Sequence, residues 1–286
     1  MKVSIFAPYF MIRRPSLNIL LALCLLIVLS SCSRGFRRIQ KSEDWRIKYE
    51  AGLKYYEKKD YYHTALLFEE ITPVVRGLPE GEKVEFYLAY CQYYEKTYLL
   101  ASNQFKAFSE TYGRSPLAQE AFFMYAYSLY VASPDSNKDQ KSSIEAMDAM
   151  QTFLNQFSDS KFRDQATEVI AACQAKLEEK GADNAKQYFK MKQYKAAVIA
   201  FDNFKKGFPD SKYLEELAYL KVSAQYKLAI QSFQSLQLER YTAVVTYYQE
   251  LVDNFPEGTY LKEAQEMYSN SLAEINKLKA LKIKNS

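Results

Sequence analysis

Four near-copies of one short phrase constrain this chain more than anything else in it. FPDSKY at 208–213 is echoed by FSDSKF at 157–162, FPEGTY at 255–260 and, more loosely, YGRSPL at 112–117. Ala101, Ala146, Ala197 and Val244 each lie 11 residues before the aromatic that opens the phrase, and Ser115, Ser160, Ser211 and Gly258 follow each anchor at +14. An aromatic or small residue stands three before each anchor (Tyr98, Ser143, Tyr194, Tyr241) and a large apolar one four after it (Phe105, Met150, Phe201, Tyr248). Positions −3, 0, +4 and +11 share one face of a 3.6-residue helix, so each unit contains a helix with a buried small residue. The phrase is then a helix stop joined to a helix start. Its aromatic ends the apolar stripe, Pro209 or Pro256 lacks the N–H needed to continue, and the Asp or Ser oxygen is expected to accept from the free N–H groups of the next helix. Ser115 followed by Pro116 fits too, since proline is favoured at the first helical position. The aromatic at +16 (Phe162, Tyr213, Tyr260; Leu117 in the looser copy) is expected to pack the new helix onto the old one.

Only 8 Gly and 8 Pro in 286 residues argue against a hairpin-rich all-β chain. A degenerate first unit carries Tyr62, Ala65 and Phe68, with a break near Pro73, Gly77 and Pro79; its anchor precedes Ala101 by 36 residues, and the later intervals are 45, 51 and 47. Helix pairs of this kind resemble tetratricopeptide repeats, whose period is about 34 residues. The expected fold is all-α: a tetratricopeptide-like solenoid of about five helix pairs over residues 43–280, with amino-terminal repeats over 43–157, carboxy-terminal repeats over 158–280 and some unusually long first helices. Residues 160–191 could form one helix of roughly 45 Å. Gly181 is its weak point, costing up to about 1 kcal/mol against Ala, and the neighbouring Ala182 is expected to be exposed.

Residues 1–31 read as a signal peptide, with Arg13 and Arg14 before an apolar run from Leu17 to Leu29 that is short for a membrane-spanning helix. Leu29-Ser30-Ser31-Cys32 resembles a bacterial lipobox, which implies a diacylglyceryl group on the Cys32 sulfur, and residues 32–42 are expected to be a lipidated tether. Several acyl chains suffice for stable anchoring. By the lipoprotein sorting pattern, Ser33 in place of Asp implies carriage to the outer membrane, facing the periplasm. Arg34, Arg37, Arg38 and Lys41 lie where such a tether would run along anionic headgroups or through solvent. Cleavage removes Lys2, Arg13 and Arg14 and no acid, lowering the formal charge from +4 to +1; a near-neutral body gives no support to nucleic-acid binding. Cys91 and Cys173, each within an apolar helical pattern, read as buried free thiols.

No catalytic, cofactor or metal motif stands out. His63 is the single histidine, which leaves no histidine triad or multi-histidine metal site, and neither GxGxxG nor GxxxxGK[ST] occurs. Over 82–96, Val84, Tyr87, Leu88 and Cys91 form one stripe while Phe86, Tyr90, Tyr93 and Tyr94 form a second. The second stripe either lines a concave peptide groove, with Tyr55, Tyr56, Tyr90 and Tyr94 as its binding residues, or is core between helices packed on two sides.

Five units with overlong helices behind a lipobox resemble the BamD family, over about residues 40–277. The most specific stretches are YAYSLYVASPDSNKDQ at 125–140, the AMQTFLNQFSDSKF that ends at 162, and NAKQYFKMKQYKAAVIAFDNFKKGFPDS. Ser158 and Gly113 depart from the family's proline after the terminal aromatic. The resemblance implies a scaffold of the outer membrane β-barrel assembly machinery, one that holds a BamA-like barrel subunit through carboxy-terminal repeats and unfolded outer membrane protein substrates through amino-terminal ones. In the last helix Tyr260, Leu261, Ala264, Met267 and Tyr268 recur at helical spacing; Arg240, Lys262 and Glu266, between the stripes, are the candidate partner-docking residues. Two alternatives share the repeats: a scaffold coordinating the cell wall or envelope, and a nutrient-binding lipoprotein.

Overall fold

The computed structural model describes residues 35–284, and all their regular structure is helical. The signal segment, Cys32 and Arg34 lie outside the described residues. The chain divides after Ser128 into two compact units. The amino-terminal unit has a helical turn over 35–40, then α1 (Trp45–Glu57), α2 (Tyr61–Val75), α3 (Pro79–Tyr94) and α4 (Tyr98–Thr111); the division falls in α5 (Ala118–Ala132). The carboxy-terminal unit holds α6 (Lys141–Gln156), α7 (Arg163–Lys190), α8 (Tyr194–Gly207), α9 (Leu214–Ile230), α10 (Gln234–Asn254) and α11 (Leu261–Lys284). Within each unit successive helices pack on one another, and first helices of successive pairs also touch: α1 with α3, α7 with α9, and α9 with α11. This is the packing of stacked tetratricopeptide-like pairs.

The repeat register sets the core. Ala101, Ala146, Ala197 and Val244 are wholly buried, and Ala65 nearly so. The repeated phrase does what its residues dictate: Tyr112, Phe157, Phe208 and Phe255 are the C-caps of α4, α6, α8 and α10, each donating its backbone N–H to the carbonyl four residues back. Three of these rings also pack on the ring one turn earlier, with centroids 4.9 Å apart for Phe108–Tyr112, 5.3 Å for Phe153–Phe157 and 5.0 Å for Phe204–Phe208. The serines then open the next helix. Ser115, Ser160 and Ser211 Oγ accept from the N–H groups of Leu117, Phe162 and Tyr213 at 3.0, 3.2 and 3.3 Å. Of the +16 aromatics, Tyr260 stacks on Tyr219 of α9 at 4.9 Å.

Four local expectations are decided by the packing. Pro73 lies inside α2, which runs on to Val75; the chain breaks at Gly77, whose φ of 86° is left-handed. Helix α7 passes through Gly181 without interruption, as the single long helix expected there requires, and a Cβ at Gly181 would stand 3.2 Å from the Phe204 and Phe208 rings. The missing side chain admits the terminal aromatics of α8, and the same approach buries Ala182 completely, contrary to the exposure expected for it. The tether is the fourth. Residues 35–40 are helical, with Phe36 buried against Ala51 and Leu67 and its ring 5.8 Å from Tyr55 and 4.2 Å from His63. Gln40 Nε2 donates to Glu70 Oε1 at 2.8 Å, and Lys48 Nζ lies 2.6 Å from Glu70 Oε2, which holds the Glu70 carboxyl below the usual range. An aromatic at 36 and a polar clasp at 40 thus join the folded body before residue 43.

The turn inside three of the pairs is one repeated device. Lys59, Lys96 and Lys192 have φ of 60°, 62° and 60°. Their N–H groups donate to Tyr56, Tyr93 and Phe189 carbonyls, and the next residues, Asp60, Thr97 and Gln193, donate to Tyr55, Gln92 and Tyr188. This pair of bonds is the Schellman closure of a helix C-terminus, whose left-handed position suits glycine. A lysine there is strained, and glycine relieves that strain at some cost in unfolded-state entropy. Lys192→Gly is expected to raise stability by about 0.5–1 kcal/mol, read as a higher urea midpoint at unchanged slope; a lower midpoint would contradict this backbone geometry.

Candidate interaction surfaces

The turns that close α1 and α3 are lined with tyrosine, and the helix ends bring these rings together. Tyr61 stacks on Tyr94 at 4.3 Å, Tyr94 on Tyr90 at 5.9 Å, and Tyr56 meets Tyr61 at 5.5 Å and Tyr87 at 4.6 Å. Tyr93 continues the row to Tyr98 at 5.4 Å and Tyr127 at 6.3 Å. Tyr94 is 45% exposed, and Tyr61, Tyr93, Tyr98 and Tyr127 are half-buried. Burial raises the hydroxyl pKa of Tyr56, Tyr61 and Tyr90, and pushes Tyr93 up to about 12, so these hydroxyls stay protonated at neutral pH. The row presents ring surface together with hydroxyl donors and acceptors, the amphipathic combination that suits tyrosine to interfaces.

The sequence-derived groove residues divide. Tyr56, Tyr90 and Tyr94 belong to this row, whereas Tyr55 packs with Phe36 and His63, 5.4 Å from the latter. The second stripe of α3 is itself mixed. Phe86 is buried, with its ring 5.3 Å from Phe108. Tyr90 lies edge-on to Phe105 at 5.0 Å and donates to Glu120 at 2.6 Å, while Tyr93 and Tyr94 reach the surface. His63 Nδ1 lies 2.8 Å from Asp60 Oδ2, a turn contact. Cys91 and Cys173 are free and buried; burial raises both thiols, Cys91 to about 12, far from the thiolate form a nucleophile needs. Among the described residues no cluster of three His, Cys, Asp or Glu side chains could hold a metal ion.

In the carboxy-terminal unit the stripe of α11 is spent on packing. Ala264 is wholly buried, Leu261 and Met267 pack against the cluster of Val222, Val244 and Leu251, and Tyr268 stacks on Tyr248 at 4.5 Å. Lys262 and Glu266 are left exposed. Arg240 differs from them: it is half-buried, its guanidinium donates to the Ser232 hydroxyl, and its carbonyl accepts from Gln225 at 3.1 Å. It clips the turn from α9 to α10. A cleft of about 260 Å³ opens between α8, α9 and α10 over Phe201, Leu217 and Phe255. Lys221 lies at its edge, 2.8 Å from Asp202, 3.3 Å from Glu250 and 3.8 Å from the Tyr247 ring centroid. Burial alone would lower its pKa, but the bond to Asp202 and the two carboxylate charges raise it. Asp202, Lys221 and Glu250 stand on three helices, with no local spacing to betray them.

Stacked helix pairs with small-residue anchors, a row of tyrosines at the turns closing α1 and α3 and a cleft between α8, α9 and α10 define a tetratricopeptide-like helical-repeat protein. A model of the YfiO family, described as outer membrane lipoprotein, matches residues 43–235, and the chain belongs to that family of outer membrane lipoproteins. Over 100 residues it is 34% identical to a putative outer membrane protein assembly factor BamD of Aquifex aeolicus (strain VF5); the match covers 34% of this chain and 33% of that one, about a third of the relative's length. Among the described residues no helix is long and apolar enough to cross a membrane.

Proposed function

We propose that this protein is a lipid-anchored, periplasm-facing scaffold for β-barrel assembly at the outer membrane, binding a BamA-like barrel subunit through its carboxy-terminal repeats and unfolded outer membrane protein segments through its amino-terminal ones. Family membership carries the assembly role, and the tyrosine row supports the substrate end. Tyr56, Tyr61, Tyr90 and Tyr94 offer a partly exposed aromatic strip whose rings can take the apolar side chains of an extended segment, while the Tyr90 hydroxyl stays with Glu120 and the hydroxyl of exposed Tyr94 can meet the segment's free backbone groups. No step of chemistry is required of the scaffold.

Lys262 and Glu266 are the docking residues of this reading, since both are exposed on α11 while the stripe beside them is buried. Lys262→Glu and Glu266→Lys are expected to leave stability within about 0.5 kcal/mol, as surface substitutions usually do, and at least one should weaken co-purification of a BamA-like barrel protein from detergent-solubilised envelope. Arg240→Glu is unsuited to this comparison because it breaks the Ser232 contact. If both variants retrieve the barrel protein at wild-type yield, docking is not on this helix; if the wild type retrieves none, the assembly role fails.

A further inference from the structure

The amino-terminal turn is fixed to the body and carries a basic surface. Phe36, Gln40 and the Gln40–Glu70–Lys48 contacts hold it on α1 and α2. Arg37, Arg38, Lys41, Arg46 and Lys54 are exposed around it, and Ile39, the 49% exposed Ile47 and Ala51 line a shallow groove with Arg46, Lys54 and one acid, Glu50. The acids among them are fewer: Glu43 and Glu50 are exposed, and Asp44 is engaged as the cap of α1, accepting from the Arg46 N–H at 2.9 Å.

We propose that this surface, residues 36–47 with Lys54, is a membrane-facing collar that seats the first repeat on anionic phospholipid headgroups. The proposal rests on acylation of Cys32. From Cys32 to Gly35 the chain can span roughly 10 Å when fully extended. That reach is close to the distance, about 8–10 Å at physiological salt, over which an anionic surface attracts cations. A flexible tether of ten residues would let the body drift beyond that range; a turn docked from residue 35 does not. Exposed cations around a small apolar groove also match the interfacial chemistry of headgroup over acyl chain.

Trp45, the single tryptophan, stands half-buried beside the collar with the Arg46 guanidinium 4.7 Å from its ring centroid, and so reports on this surface alone. Full-length mature protein would be reconstituted into phosphatidylcholine vesicles, with or without phosphatidylglycerol, containing a phospholipid with a nitroxide headgroup. Trp45 quenching is expected to be at least about twofold greater with phosphatidylglycerol and to fall to the phosphatidylcholine level in high salt. Arg37→Ala/Arg38→Ala should also fall to that level. Equal quenching in both vesicles, or an unchanged double variant, overturns the collar while a fatty-acid label on the same preparation upholds the anchor. Absence of the label overturns the anchor and the collar with it.

Discussion

Ala197→Leu is expected to cost about 1–3 kcal/mol, because three extra carbons must enter a contact with no free space. Ala197 is wholly buried on α8 in one cluster with Ala182, Ala185, Phe201 and Leu217. Its Cβ fixes how closely α8 approaches α7. Ala182→Leu, on the facing helix, should cost a similar amount. Ala171→Leu, on the exposed face of α7, should stay within about 0.5 kcal/mol. Thermal unfolding followed by circular dichroism compares the three, and a common midpoint for Ala197→Leu and Ala171→Leu would refute the close α7–α8 contact.

Loss of the thiol at residue 32 should have the larger consequence. Cys32→Ala is expected to abolish acylation entirely, since Cys91 and Cys173 are buried and Cys24 lies inside the apolar run rather than at the lipobox. Each acyl methylene withdrawn from the bilayer forfeits about 0.8 kcal/mol, so attachment through the acyl chains is lost. Metabolic incorporation of a clickable fatty acid reads the result, and label persisting on the variant would refute modification at this cysteine.

The helices and their breaks were legible because they rest on local rules. An alanine anchor, an aromatic 11 residues on and a serine at +14 need only a helical period and a cap, and the structure places each of them accordingly. What escaped was decided by neighbours distant in sequence. Ala182 has polar residues around it, a setting that predicts exposure; Phe204 and Phe208, more than twenty residues away, pack over it. Gly52 is a similar case: a Cβ there would stand 2.2 Å from the ring of Phe68, and nothing near residue 52 announces it. The lysines at 59, 96 and 192 were visible only as charges, although an aromatic three before and a tyrosine two after each marks a common turn. Residues 35–40 looked like linker because four of the eight from 34 to 41 are basic, yet one phenylalanine suffices to dock them. Of the four tyrosines read as a groove, three share a surface, since α1 and α3 end side by side, whereas Tyr55 faces the amino-terminal turn.

Among the described residues, the substantial helix contacts within each unit run between neighbours in the chain or the next but one. Contacts of this kind close over a few tens of residues, so each repeat can form as soon as its successor is present, and folding rate is set by short loops rather than by a search between distant segments. Within each unit stability then accumulates by nearest-neighbour terms. The first and last helix pairs have a neighbouring pair on one side only, and such ends open more readily than the pairs they pack on.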